Sequence, residues 1–219
     1  MKAQEKNLKD EANRKFVVPY LILQAVGFIV VSVGVVGLTD IVKEVEKLAA
    51  SVAIGMFAPL LALLLSGMLE SSVKASLVFW RLLDPLPGTR AFSVYGPSDP
   101  RVDMTSPHIA PFTSGNSFEQ NRAWYKLLKK VEWEPSVAGV HRDYLAMRDI
   151  AAITVLLFPL PVLSILIVGW GNWFWTYMGV EVTIFVVASL SAQNYGKRLV
   201  TNVLSCVSRG GDTISPPDS

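Results

Sequence analysis

The longest polar segment of this chain runs from Trp80 to Asp149, and a pair of strongly apolar runs lies on each side of it. Each run is long enough, when helical, to cross about 30 Å of hydrocarbon. The pattern therefore predicts an all-α integral membrane protein with four transmembrane helices. These helices are expected to form two hairpins, separated by a helical, proline-rich insert.

The predicted boundaries follow the changes in polarity along the chain. The first part holds a polar arm at 1–15, a first span at 16–38, a turn at 39–47 and a second span at 48–69. The insert occupies 70–149, with helices near 70–83, 117–133 and 135–149. The last part holds a third span at 150–168, a turn at 169–173, a fourth span at 174–192 and a tail at 193–219.

Local signals add detail to the insert and the tail. The second span is expected to continue as a helix to about Leu83, because its apolar residues keep helical spacing. Six prolines between 84 and 115 predict an irregular loop. Ser117 and Gln120 have the spacing of a capping box, which predicts a helix start at Ser117. The composition after Ser208 is typical of a disordered tail.

Composition argues against several classes of protein. A net charge of +2 is too small to indicate nucleic-acid binding. The single cysteine, Cys206, excludes an intramolecular disulfide and a thiolate metal cluster. His108 and His141 are the two imidazoles, so the sequence predicts no metal site and no cofactor.

The distribution of basic residues predicts the orientation. The arm holds five Lys and Arg residues, the insert ten and the C-terminal segment three, whereas the two turns hold only Lys43 and Lys47. Cytoplasmic loops carry the excess of basic residues, so both termini and the insert are expected on the cytoplasmic side. Acidic residues in the arm argue against a cleavable signal peptide, so the first helix is expected to be retained.

Small residues and prolines in the spans predict how the helices pack. Small side chains on one helix face allow close approach of a second helix, and paired prolines break a helix. The predicted packing positions are Gly27 and Gly34 in the first span, Gly55, Ala58 and Ala62 in the second, and Pro159 and Pro161 in the third. The simpler interpretation of these small residues is ordinary helix packing without a pore.

Glu181 is the one charged residue within a predicted span, and it lies roughly 15 Å along the fourth helix from Gly171. A carboxyl group near the middle of a bilayer usually faces a cavity, a partner or a proton path. Gln24 and Thr183 are its predicted polar neighbours on an ion path or gate. In the alternative interpretation the helix lies further out and Glu181 reaches the headgroups.

The insert combines basic and aromatic residues in two predicted helices. The candidate ligand or lipid contacts are Arg122, Trp124, Tyr125, Lys126, Lys129, Lys130, His141 and Arg142. Such a set is suited to a nucleotide or a phospholipid headgroup. Two alternatives remain: the charges of the insert pair internally and shape the module, or the basic helix lies flat on anionic lipid.

The sequence carries no recognised catalytic motif, such as a phosphate-binding P-loop, a zinc-protease helix or a nucleophile elbow. His141 and Asp143 are two residues apart, which places them on different faces of a helix. We therefore expect that the protein is not an enzyme.

Three stretches of the insert carry a family resemblance. They are Trp80–Phe92 (WRLLDPLPGTRAF), Gln120–Tyr125 (QNRAWY) and His141–Leu145 (HRDYL). In these stretches the chain resembles uncharacterised bacterial four-span inner-membrane proteins, which implies a multi-pass protein of the bacterial inner membrane. In layout alone it is similar to the membrane-disrupting effectors of bacterial phage defence.

Three functional hypotheses follow. The first is an oligomeric channel or pore-forming effector that is gated through the insert. The second is a membrane-anchored interaction or sensor module that docks a cytoplasmic protein or a nucleotide-like anionic ligand. The third is a small secondary transporter, with Pro59 and Pro159 as corresponding breaks. The expected partners are the lipid bilayer and further copies of the chain.

Overall fold

The computed structural model describes residues 8–36, 45–113, 115–168 and 170–210, and within these ranges it is almost entirely helical and contains no strand. Seven helices of nine residues or more organise these ranges: α1 Val18–Val36, α2 Val45–Met68, α3 Ser71–Phe79, α4 Ser117–Val131, α5 Pro135–Leu157, α6 Pro159–Val168 and α7 Asn172–Ser208. A π-helical turn, Asn13–Val17, leads into α1. The predicted all-α class is confirmed at this level.

Three helical stretches are long and apolar enough to cross a bilayer: Leu8–Val30, Pro135–Val162 and Asn172–Ser208. A fourth candidate is the pair Val52–Met68 and Ser71–Phe79, which is bent by 109°. Length and composition are thus compatible with a multi-pass membrane protein.

Large aliphatic and aromatic side chains cover the outside of α1, α2 and α7, and we call this surface the apolar belt. Its members include Val18, Ile22, Leu23, Val26, Val30, Met56, Phe57, Leu60, Leu61, Leu64, Leu65, Val182, Val186, Val187 and Leu190. An exposed apolar surface of this extent is rare on soluble monomers. Polar residues replace the belt on α7 beyond Leu190, where Asn194, Lys197 and Arg198 are exposed.

The break between α5 and α6 lies at Phe158, where the two prolines of the third predicted span begin. Pro159 has no N–H to donate, and Phe158 N–H instead bonds the carbonyl of Val155, three residues back, at 3.3 Å. The long helix that starts at Pro135 therefore ends at Leu157, and α6 continues the same path.

The segment after α2 differs from the prediction. A helix was expected to continue to about Leu83, but α2 ends at Met68 and the chain turns through 109° before α3. α3 ends at Phe79, because Trp80 adopts a left-handed conformation with φ of 52°. Helical spacing of apolar residues persists across such a bend, so the spacing alone does not reveal it.

The C-terminal tail also differs from its predicted role as a tail from 193. α7 is a single helix that runs 16 residues past Ala192, to Ser208. Leu199, Val200, Val203 and Leu204 are buried on it and form much of the core of the insert. Among the described residues, the most extensive helix contact is between α5 and α7. The residues from 211 onward, where disorder was expected, lie outside the described residues.

The proline-rich stretch folds as a series of short helical turns over 87–98, and it packs on α4 and α7. Gly88 is required here, because a Cβ at this position would lie 2.6 Å from the Trp124 ring. α4 starts with a capping box formed by Asn116 and Glu119, one residue before the predicted pair. Gln120 instead accepts bonds from the N–H groups of Phe92 and Ser93, and so holds the turns in place.

The predicted packing residues have different surroundings. Gly55 lies where α2 meets α1, and a Cβ there would lie 2.9 Å from Ile29. The space beside Gly27 would admit a Cβ, so Gly27 is not at a close contact. Gly34 lies in the part of α1 whose side chains are not described. Three further predicted residues, Ala58, Ala62 and Pro159, lie where α2 approaches the break between α5 and α6. Pro161 lies in the first turn of α6.

Candidate functional site

A cavity of about 360 Å³ lies between α4, α5 and the start of α3, and Lys9 of the N-terminal segment also lines it. Its polar lining comes from Lys9, Ser71, Asn121, His141 and Arg148, and its aromatic lining from Trp124, Tyr125 and Tyr144. α4 and α5 supply most of these side chains, so the cavity has rigid walls. Its size suits a small organic anion or a headgroup.

A buried charged cluster borders this cavity. Lys74 Nζ lies 3.0 Å from Asp149 Oδ1, and Arg148 Nη2 lies 3.1 Å from the same oxygen. The three side chains are 4% to 9% exposed. Two cations therefore share one carboxylate, and the cluster keeps an excess positive charge. Burial lowers the pKa of Lys74 below its ordinary value although Asp149 raises it, and the positive charges of Arg148 and Lys9 lower it further.

Trp124 lines the cavity and also carries an unsatisfied polar group. The side chain is buried, and its indole N–H has no hydrogen-bond partner among the described residues. A buried donor without a partner costs about 1–3 kcal/mol.

The predicted ligand residues are only partly brought together. Trp124, Tyr125 and His141 line the cavity. Arg122 and Lys126 are exposed, Lys129 bonds Glu132 at 2.8 Å, and Lys130 lines a separate, smaller cavity beside His108. Arg142 bonds Glu11 at 2.7 Å and Asp143 at 3.0 Å, so it fastens the N-terminal segment to α5.

Sequence reasoning missed the main charges of the site. In the sequence, Arg148 and Asp149 are among the charges of the insert that the alternative interpretation pairs internally, and no pattern assigns Lys74 or Lys9 a ligand role. Their signal is weak: a lone lysine on α3, and an Arg-Asp pair at the start of an apolar run. The bend after α2 brings Lys74 to Asp149, and the sequence did not predict that bend.

A second polar cluster lies among the candidate spans and joins α1, α5 and α7. Tyr177 OH donates to Gln24 Oε1 at 3.2 Å, and Gln24 Nε2 donates to Tyr20 OH at 2.9 Å. Tyr20 OH lies 2.7 Å from Thr154 Oγ1, which donates to the carbonyl of Ile150 at 2.8 Å. Since Thr154 uses its proton on that carbonyl, Tyr20 is the donor to Thr154. The bonds therefore form one directed chain.

Glu181 lies beside this chain and is 1% exposed. Gln24 and Tyr177 are within hydrogen-bonding reach of its carboxyl group, while its Oε2 has no hydrogen-bond partner among the described residues. Gln24 is thus a neighbour of Glu181, as expected. Thr183 is not: it is exposed, and its hydroxyl bonds the carbonyl of Gly179 on its own helix.

An exposed ion pair fastens the proline-rich turns to α7. Arg101 bonds both carboxylate oxygens of Asp99, at 3.0 Å and 2.8 Å, and Thr201 Oγ1 at 3.2 Å. The hydrogen bonds from Arg101 hold the pKa of the Asp99 carboxyl far below its ordinary value.

Comparison with protein-family profiles, with curated proteins and with solved structures finds no match to this chain.

Proposed function

We propose that this chain is a multi-pass membrane protein whose insert binds a phosphate-bearing anion in the cavity between α4 and α5. The spans anchor the module, and the insert with both termini faces the cytoplasm. This is the sensor hypothesis of the sequence analysis, with the ligand assigned to a specific cavity.

The apolar belt supports the membrane part of the proposal. On α7 the stretch from Asn172 to Leu190 is about 28 Å long, close to the thickness of the hydrocarbon layer. Exposed Trp170 and Trp175 lie near one end of it, and exposed Lys197 lies beyond the other. Tryptophans concentrate at membrane surfaces, and the basic residues indicate the cytoplasmic side.

The excess positive charge of the Lys74–Asp149–Arg148 cluster carries the ligand part of the proposal. Buried charges are normally balanced, because an uncompensated ion inside a protein is costly. An anion in the cavity would lie next to Arg148 and Lys9 and balance the cluster.

The chemistry of the lining favours a phosphate group. Arginine and lysine bind phosphate through charge-assisted hydrogen bonds, and aromatic walls accept an attached ring or glycerol unit. Two sources offer this group: a soluble phosphate ester, or the headgroup of an anionic phospholipid.

The test measures anion binding by the full chain in lipid nanodiscs. Calorimetric titration with pyrophosphate in zwitterionic nanodiscs probes the soluble source, and nanodiscs with phosphatidylglycerol as competitor probe the lipid source. Arg148→Gln should weaken binding about tenfold, which corresponds to about 1.4 kcal/mol for a charge-assisted contact. Stability should be retained, because this change leaves Lys74 and Asp149 as a balanced pair.

The control is Arg101→Gln. Arg101 bonds Asp99 and Thr201 and does not line the cavity, so its loss should leave the affinity unchanged. Absence of binding by both probes, or equal binding by the Arg148 variant, would contradict the proposal. Competition by phosphatidylglycerol would assign the site to a headgroup.

The oligomeric channel or pore-forming effector is the second candidate, and the position of Glu181 favours it. A buried carboxyl group within a span is a feature of ion and proton pathways. In the single chain Glu181 lies inside the bundle, so a path along it would run between α1, α5 and α7. Ion flux into liposomes, lowered by Glu181→Gln, would support this candidate.

A further inference from the structure

The short loop that follows α3 exposes a group of large apolar side chains. Leu82 is 93% exposed and Leu83 is 85% exposed, and Trp80 and Phe118 are also largely exposed. Arg81 lies among them and is exposed too. We call Trp80–Leu83 the apolar loop.

The apolar loop is held in a defined position. Trp80 and Asp84 bracket it, and both adopt left-handed backbone conformations that non-glycine residues rarely take, with φ of 52° and 49°. Arg81 N–H bonds the carbonyl of Ser76, and Ser117 Oγ bonds the Asp84 carboxylate at 2.6 Å. Local strain that is stabilised in this way often marks a functional segment.

The orientation of α3 sets the position of the apolar loop along the membrane normal. α3 is turned by 109° from α2, so it runs close to the membrane plane if α2 crosses the bilayer. Lys74 near its start bonds Asp149 of α5, and the carbonyl of Val78 near its end accepts a 2.8 Å bond from Gln193 of α7. Gln193 lies one turn beyond Leu190, the last belt residue of α7, which places the apolar loop at the edge of the belt.

We propose that the apolar loop inserts into the headgroup layer of the cytoplasmic leaflet. Its composition suits that layer, because tryptophan prefers the interface, leucine enters the acyl boundary and arginine pairs with lipid phosphate. The surface continues the apolar belt, so one bilayer covers both. This inference rests on the membrane part of the proposed function and is independent of the ligand in the cavity.

The test uses spin labels on single cysteines in the full chain, with Cys206 replaced by serine. Labels are placed at Leu82 in the loop, at Val186 in the belt and at Lys126 on the exposed face of α4. These side chains are exposed, so the labels leave the fold intact. Relaxation by oxygen and by a water-soluble nickel complex reports the depth of each label in lipid nanodiscs.

The Leu82 label should show about threefold lower nickel accessibility than the Lys126 label, and lower oxygen accessibility than the Val186 label, as expected for the interface. Equal nickel accessibility at Leu82 and Lys126 would overturn the inference. A Leu82 label shielded from both reagents, in detergent as well as in nanodiscs, would assign the loop to a protein partner or a second copy and would also overturn it. Water-like behaviour of the Val186 label would instead refute the membrane part.

Discussion

Two buried polar clusters lie about five residues apart along α5, and they accommodate a buried carboxyl group in different ways. At Asp149 one carboxylate faces two cations. At Thr154 the side chain joins a chain of neutral donors and acceptors that reaches Glu181. The first cluster has too much positive charge, whereas the second has a carboxyl group and no cation in reach among the described contacts.

This difference separates a binding role from a packing or gating role. An unbalanced cluster beside an open cavity can be completed by a ligand from outside. A closed cluster with no opposite charge can change only by gaining or losing a proton, or by rearranging its hydrogen bonds. Neutralising the carboxyl group should therefore destabilise the first cluster strongly and the second one little.

The largest effect is expected for Asp149→Asn. Removal of this carboxylate leaves Lys74 and Arg148 buried without a counter-ion, which should lower the free energy of unfolding by about 3–5 kcal/mol. The midpoint of thermal unfolding in detergent measures the loss, and pyrophosphate should restore part of it. Asp143→Asn is the matched control, since Asp143 pairs with an arginine on the same helix but is more exposed. Equal losses of stability in both variants would contradict the claim that Asp149 balances two buried cations.

A smaller effect is expected for Glu181→Gln. Glutamine keeps the shape and the hydrogen-bonding capacity and removes the need to accommodate a charge, so the free energy of unfolding should stay within about 1 kcal/mol of the parent value. The midpoint of thermal unfolding in detergent measures this difference. A loss as large as that of Asp149→Asn would mean that Glu181 has a charged partner, and the contrast between the clusters would fail.

The smallest effect is expected for the exposed pair of Asp99 and Arg101. Because the folded pKa of Asp99 is depressed, its contribution to stability is present above the unfolded value of about 4 and is lost as the pH falls through the folded pKa. Asp99→Asn should therefore cost about 1 kcal/mol or less at pH 7, and less still in strong acid. Thermal unfolding at pH 7 and pH 3 tests this. A larger loss of stability from Asp99→Asn at pH 3 than at pH 7 would contradict this expectation.

The helical class and the long apolar stretches could be predicted because they depend on composition and local periodicity. The pairing of Gln24 with Glu181 was also predictable, since isolated polar residues in apolar helices tend to meet. The charged cluster was not, because Lys74 reaches Asp149 only through the bend after α2. That bend depends on tertiary contacts of α3 with α5 and α7, which leave no local sequence signal.

The capping of α4 illustrates a finer limit. Ser117 and Gln120 have the right spacing, yet Asn116 and Glu119 form the capping box and Gln120 bonds the turn at Phe92. Both pairs have suitable side chains, and the choice depends on what the proline-rich turns need. The helical extension to Ser208 was missed for a related reason. Its polar residues are typical of a tail, and its buried face is explained only by its packing against α5.

The continuous helix α7 has a mechanical consequence. Its 37 residues contain no proline and form a rod about 55 Å long, which carries Glu181 in one half and packs under the insert with the other. The neighbouring helices α5 and α6, by contrast, are separated by a break at Phe158. A tilt of α7 by about 5° around its middle would move each end by about 2 Å, so a ligand that pushes on the insert would shift the carboxyl group of Glu181 without bending any helix.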